Sequence, residues 1–154
     1  MEEFFRCCHK VRMDDKGRVK VPQEFLSIAK SRYDGSETYF VTSTDGKLAH
    51  AYSLGQWKAI ERKISALETP SPVFRKYLKL AYFYGQEVKL DSAGRMLMPP
   101  ILREKLGLKD EIAVIGAMDH YQFMNWSAYD AEIASLSFSE EEDRELIATL
   151  GVMS

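Results

Sequence analysis

Asp14 and Arg18 are the residues whose types and spacing most suggest chemistry, because Asp91 and Arg95 repeat them. The first stretch reads Asp14-Asp15-Lys16-Gly17-Arg18-Val19-Lys20-Val21-Pro22. The second reads Asp91-Ser92-Ala93-Gly94-Arg95-Met96-Leu97-Met98-Pro99. Two carboxylates could serve as a general acid–base pair. Each, however, sits three residues before a glycine, which suits a tight turn whose carboxylate accepts from backbone N–H groups. Gly17 and Gly94 supply backbone conformations that other residues resist. Asp14, Gly17, Asp91, Gly94 and Arg95 are therefore read as turn residues, not catalytic ones.

Other reactive groups form no catalytic or metal pattern. His9, His50 and His120 are scattered without ligand spacing, and no cysteine set completes a zinc site. There is no phosphate-cradling glycine loop and no nucleophile elbow. The sequence therefore predicts no enzyme activity, cofactor, metal or small-molecule substrate. Cys7 and Cys8 are adjacent, so they cannot make an ordinary structural disulfide, and no third cysteine exists. A reactive or metal-binding role for the pair stays open beside the simpler reading of small strand residues. Glu2, Glu3 and Arg6 interrupt the start, so neither a signal peptide nor a membrane span is expected, and the cytoplasm is the expected compartment.

What remains is positive charge at strand spacing. Residues 4–13 alternate, with Phe5, Cys7, His9, Val11 and Met13 on one face and Arg6, Cys8, Lys10 and Arg12 on the other. After the turn, Val19 and Val21 continue the apolar face and Arg18 and Lys20 the polar one. The expected product is a hairpin of these two strands presenting Arg6, Lys10, Arg12, Arg18 and Lys20, with Lys16 at its turn. A two-stranded ribbon fits the DNA major groove, and Arg and Lys supply phosphate and guanine contacts. In the second copy the positions of Lys10, Arg12, Lys16 and Lys20 hold Glu87, Lys89, Ala93 and Leu97. Positive charge thus gathers in the first copy. Residues 1–32 carry eight basic side chains against five acidic, whereas 130–154 carry seven acidic against Arg144 alone. The net charge of −2 hides this polarity.

The elements that must position these residues also recur. Pro22 opens a short helix with Phe25, Leu26, Ile28 and Ala29 as its buried stripe, ended by Tyr33-Asp34-Gly35. Thr38–Thr42 and Leu48–Tyr52 read as strands joined at Asp45-Gly46. Ser53 with Gln56 forms a capping box. The helix it opens carries Trp57, Ile60, Ile64 and Leu67 toward the core. Thr69-Pro70-Ser71-Pro72 breaks the chain, and Ser71 caps the next helix, with Val73, Tyr77, Leu80 and Tyr84 on one stripe, up to Gly85. The pattern then repeats: a strand, the turn at Asp91, a helix from Pro99-Pro100 to Gly107, strands at 112–115 and 122–126, and a helix from Ser127. Ser139 with Glu142 forms a last capping box for a terminal helix ending at Gly151. The chain, 45% hydrophobic, divides into a DNA-binding repeat over 8–55, connecting helices over 56–83, a second repeat over 84–129 and a C-terminal helix over 138–154.

The two D-x-x-G-R turns, the strand and Pro after each, the Trp57 helix, the 74–85 helix and Leu102-Arg103-Glu104 together resemble the MraZ family. Those regulators are built from two repeats of the SpoVT/AbrB swapped-hairpin type. The resemblance spans nearly the whole chain. It implies an α+β fold of two pseudo-symmetric swapped-hairpin β-barrel repeats with packed helices. It also implies a cytoplasmic, nucleoid-associated regulator that forms a ring-shaped homo-oligomer. Its partner would be double-stranded DNA, at direct repeats upstream of the division and cell-wall genes. The family's DNA-contacting arginine maps onto Arg18, with Lys16 in the same turn. The chain departs from the family at Cys7, where Gly is usual, and at His9, where an aromatic is common.

Two other functions compete. An antitoxin of the same hairpin type would repress its own operon, but two full repeats and a capped terminal helix argue against it. An oligomeric scaffold without DNA affinity is compatible with the modest net charge.

Overall fold

The computed structural model describes residues 3–33 and 37–151. Asp34 and Gly35, read above as part of a helix stop, lie outside them. The chain is α+β. Its first half runs β1 (Cys8–Arg12), β2 (Arg18–Lys20), α1 (Gln23–Arg32), β3 (Thr38–Thr42), β4 (Ala49–Ser53) and α2 (Leu54–Ser65). After α3 (Pro72–Tyr84), the order returns as β5 (Gln86–Lys89), β6 (Arg95–Leu97), α4 (Pro100–Leu106), β7 (Glu111–Gly116), β8 (Tyr121–Asn125) and α5 (Trp126–Ser135). The short α6 (Glu141–Ala148) follows. No helix is long and apolar enough to cross a membrane among the described residues.

Strand pairing interleaves the two halves. One antiparallel sheet has the order β1-β7-β8-β4-β3-β5, and β2 pairs with β6 in a separate two-stranded ribbon. Exchanging the halves reverses the sheet order onto itself, so the topology has pseudo-twofold symmetry. The hairpins β3–β4 and β7–β8 stay within their halves, while β1 joins β7 and β5 joins β3.

This arrangement corrects the expected β1–β2 ribbon. The turn at Asp14 closes locally, with Asp14 N–H donating to the Arg18 carbonyl at 3.0 Å. Beyond it the strands separate: β1 runs five residues in register with β7, and β2 three with β6. Burial explains the exchange. Val19 and Met96 face each other across the ribbon, and both are fully buried. Neither half alone supplies both walls of that core, and a lone hairpin is marginal in water.

The expected unbroken strand over 4–13 is also corrected. Cys7 has φ 75°, in the left-handed region, so Phe5 makes only an isolated bridge to Met118 and β1 starts at Cys8. This is the position where the resembling family usually has glycine, which reaches such a φ without strain. From Cys8 onward the alternation holds: Cys8, Lys10 and Arg12 are exposed, His9 and Val11 half-buried.

The main core lies between the sheet and α1. Phe5, Phe25, Tyr39, Tyr121 and Phe123 form a connected aromatic group, with Phe25 stacked on Tyr121 at 5.2 Å. Full burial of such a side chain contributes about 1.5–3 kcal/mol. A second, smaller core under α2 and α3 stacks Phe40 on Trp57 at 4.6 Å, beside Ala81. Gly85 follows α3 at a point where a Cβ would collide with the Phe40 ring and the Ala81 carbonyl.

The Ser53 and Ser71 caps form, accepting from Gln56 and Phe74 N–H. Helix α5 instead begins at Trp126, with Asn125 as its cap, two residues before the expected Ser127. Asn125 ends β8 as Ser53 ends β4, so sheet and cap keep one register. The Ser139–Glu142 box does not form: Glu140 precedes α6 without a side-chain cap. Nor is the stripe of α2 wholly core, and the apolar stripe of α3 is partly exposed. Leu67 and Val73 are exposed, and Trp57 and Ala81 carry the burial.

Candidate nucleic-acid interface

The two D-x-x-G-R turns share one construction. Asp14 Oδ1 accepts from the N–H groups of Lys16 at 3.0 Å and Arg18 at 2.8 Å, and Oδ2 accepts from Arg18 Nε at 2.6 Å. Asp91 Oδ1 accepts from Ala93 and Arg95 N–H, both at 2.9 Å, and Oδ2 from Arg95 Nε at 2.8 Å. Gly17 (φ 85°) and Gly94 (φ 75°) make the left-handed step each turn needs. The Arg18 main-chain N–H, then its guanidinium and the Lys16 N–H, hold the Asp14 carboxyl below its ordinary value. Asp91 is lowered in the same way by Arg95 and Ala93.

The turns also clasp each other. Met98 N–H donates to the Gly17 carbonyl at 2.9 Å, and Val21 N–H to the Gly94 carbonyl at 3.1 Å. The β2–β6 ribbon between them aligns Arg18 with Leu97, Val19 with Met96 and Lys20 with Arg95. Because Val19 and Met96 point inward, strand alternation sends Arg18, Lys20, Arg95 and Leu97 to the outer face. Lys20 Nζ reaches across to the Ala93 carbonyl at 3.2 Å. Three cations from both halves thus share one face with Leu97, a side chain 51% exposed.

The sequence-predicted site residues therefore divide. Arg18 and Lys20 stand on the ribbon, and Lys16 at its turn. Lys10 and Arg12 do not belong to the ribbon. They stand on the exposed face of β1 beside acids from the other half. Lys10 Nζ lies 3.0 Å from Glu111 and 4.9 Å from the Trp126 ring centroid, and Arg12 lies 3.9 Å from Asp110. Such exposed pairs are worth about 0–1 kcal/mol, so they tether these cations loosely. Arg95, read from sequence as a turn residue, makes the turn contact and also occupies the ribbon face. Its signal was the motif identity with Arg18. Only the exchange of β2 and β6 brings the two arginines together.

The arrangement suits anionic double helices. In each arginine, Nε is committed to a carboxylate, and the planar fork carries further Nη donors. A guanidinium held by a second group is pre-oriented for bidentate contact. No group of three or more His, Cys, Asp or Glu among the described residues could hold a metal ion.

Comparison with known proteins places the chain in a family. A family model for the MraZ protein, described as antitoxin-like, matches residues 83–148. The chain is 36% identical over 149 residues to the transcriptional regulator MraZ of Koribacter versatilis, covering 97% of this chain and 100% of that one. It is 34% identical to that of Acidobacterium capsulatum, with the same coverage. It is 32% identical to that of Thiobacillus denitrificans, covering 90% of this chain and 93% of the relative. With matched turns, an exchanged ribbon and end-to-end similarity to these regulators, the chain belongs to the MraZ family.

Proposed function

We propose that this protein is a sequence-specific DNA-binding transcriptional regulator whose contact surface is the outer face of the β2–β6 ribbon. One observation carries this reading: Arg18, Lys20 and Arg95 share a face backed by buried Val19 and Met96, with each arginine oriented by its own aspartate. The rigid floor fixes the ribbon, and the aspartates fix the forks. Arg18, with Lys16 beside it, reads base edges. Lys20, Lys10 and Arg12 serve phosphates, and Arg95 adds to the face from the second half. An arginine fork matched to guanine discriminates by about 1–3 kcal/mol per contact.

One protomer offers a small ribbon, so useful affinity comes from several protomers engaging repeated boxes together. The regulator acts as a ring-shaped homo-oligomer on direct repeats upstream of the division and cell-wall genes, in the cytoplasm and at the nucleoid. The test is a mobility shift with the chain's own upstream region at two salt concentrations. The expected result is a discrete shift that resists competitor DNA and weakens with salt. No shift at either salt would favour a scaffold without DNA affinity.

A further inference from the structure

Helices α2 and α3 enclose an open groove of about 410 Å³ lined by Ile60, Ile64, Leu67, Val73, Phe74 and Tyr77, with Lys63. Val73 is 72% exposed, although it lies on the apolar stripe of α3. At the other end of the chain, Leu136, Phe138, Leu146 and Leu150 are all more than 60% exposed, and no residue of α5 or α6 is buried. Leu146 lies on α6, and Leu150 lies two residues past its end. An eight-residue helix is too short to be stable in water by itself, so α6 needs a surface to order against.

Charge selects the match. Residues 54–84 carry six basic side chains against Glu61 and Glu68, while 136–151 carry five acidic ones against Arg144 alone. Arg144 is itself turned back onto the Phe138 carbonyl at 3.1 Å. An apolar groove with Lys63 at its edge, on a segment of net positive charge, and an acidic apolar tail therefore stand on one chain.

We propose that the 136–151 segment of one protomer docks in the α2–α3 groove of a second copy, with Phe138, Leu146 and Leu150 as its anchors. The contact joins unlike surfaces, so repeating it either closes a ring or builds a filament. This deepens the assembly part of the proposed function and rests on it. The test reads mass without DNA, so its failure is separable from failure of DNA recognition.

Phe74→Lys spoils the groove and keeps the tail. Leu146→Lys with Leu150→Lys spoils the tail and keeps the groove. By light scattering, the wild type is expected as an oligomer and each variant as a single chain. Mixing the two variants restores one good contact and should give a two-chain species and nothing larger. Circular dichroism checks that each variant is folded; if Phe74→Lys is not, Val73→Lys replaces it. Wild-type mass in either variant, a wild type that is itself a single chain, or no association on mixing would overturn the proposal.

Discussion

The turns at Asp14 and Asp91 carry the same hydrogen bonds, yet their surroundings differ. Across the ribbon Arg18 faces Leu97, while Arg95 faces Lys20. Beneath, a Cβ on Gly17 would press on the Arg103 guanidinium, and one on Gly94 would meet a Leu26 methyl at 3.0 Å. Lys16 stands where the second turn has Ala93. The interior of the turn tolerates little change, because aspartate, glycine and arginine each answer another member of the motif. The outward positions Lys16/Ala93 and Lys20/Leu97 stand outside that set and differ in charge between the copies. The asymmetry expected from sequence is therefore real in composition. The exchange of strands, however, places both copies' arginines on one surface instead of on two.

The comparison breaks most severely at the ribbon floor. Met96→Ala should cost about 2–5 kcal/mol, as for other large-to-small core changes, and Val19→Ala less because fewer atoms are removed. Urea unfolding of each variant reads this. If Val19→Ala costs nothing while Met96→Ala does, the two halves do not share one floor.

Next come the glycines. Gly17→Ala and Gly94→Ala each force a side chain into the left-handed region, at a cost of about 1–2 kcal/mol. The two should be similar, because Arg103 can swing aside and Leu26 must yield only slightly. Thermal melts of both compare them. A large penalty at only one would show that the turns differ in backbone strain as well as in charge.

The outer face gives a smaller and more specific effect. Lys20→Leu should flatten the salt dependence of DNA binding, by about 0.9 in log–log slope for each phosphate left without its cation. Leu97→Lys, which copies the first strand's charge onto the second, should steepen it. Titrations from low to moderate salt measure both. Unchanged slopes would remove these positions from the interface.

Acid gives the mildest test. Asp14 and Asp91 are lowered in the folded chain, so the unfolded chain binds protons first. Their stabilisation is complete above the unfolded carboxylate value of about 3.9 and fades as pH falls through the lower folded values. Melting temperatures of the wild type should drop below about pH 4, and less so in Asp14→Asn with Asp91→Asn. His50 adds a shallow slope nearer neutrality. Burial lowers it first, helped by His120, whose Nε2 lies 3.0 Å away, so stability declines as pH falls from about 6.5. Equal acid sensitivity in wild type and double variant would show that the turn carboxylates are not the cause.

Local chemistry was legible in the sequence. The turns follow from Asp and Gly, the Ser53 and Ser71 caps from their positions, and α4 from Pro100 and Gly107. Strand partnership was not legible. The pattern around Val19 requires a buried face, but nothing in its period says whether Val11 or Met96 covers it. The stripe on α3 likewise shows that Val73 and Phe74 are apolar without saying what they meet. The start of α5 was misplaced because Asn125 and Ser127 are both cap residue types, and only the end of β8 selects Asn125.

The central claim is that a ribbon built by both halves meets DNA. Fluorescence anisotropy on a duplex from the chain's own upstream region, with Arg18→Ala and Arg95→Ala compared at confirmed wild-type mass, tests it most directly. The account predicts that Arg18→Ala loses specific binding, at about 1–3 kcal/mol per contact over the engaged protomers. Arg95→Ala should weaken binding by a smaller factor while keeping site preference. Wild-type affinity in Arg18→Ala would contradict the claim outright.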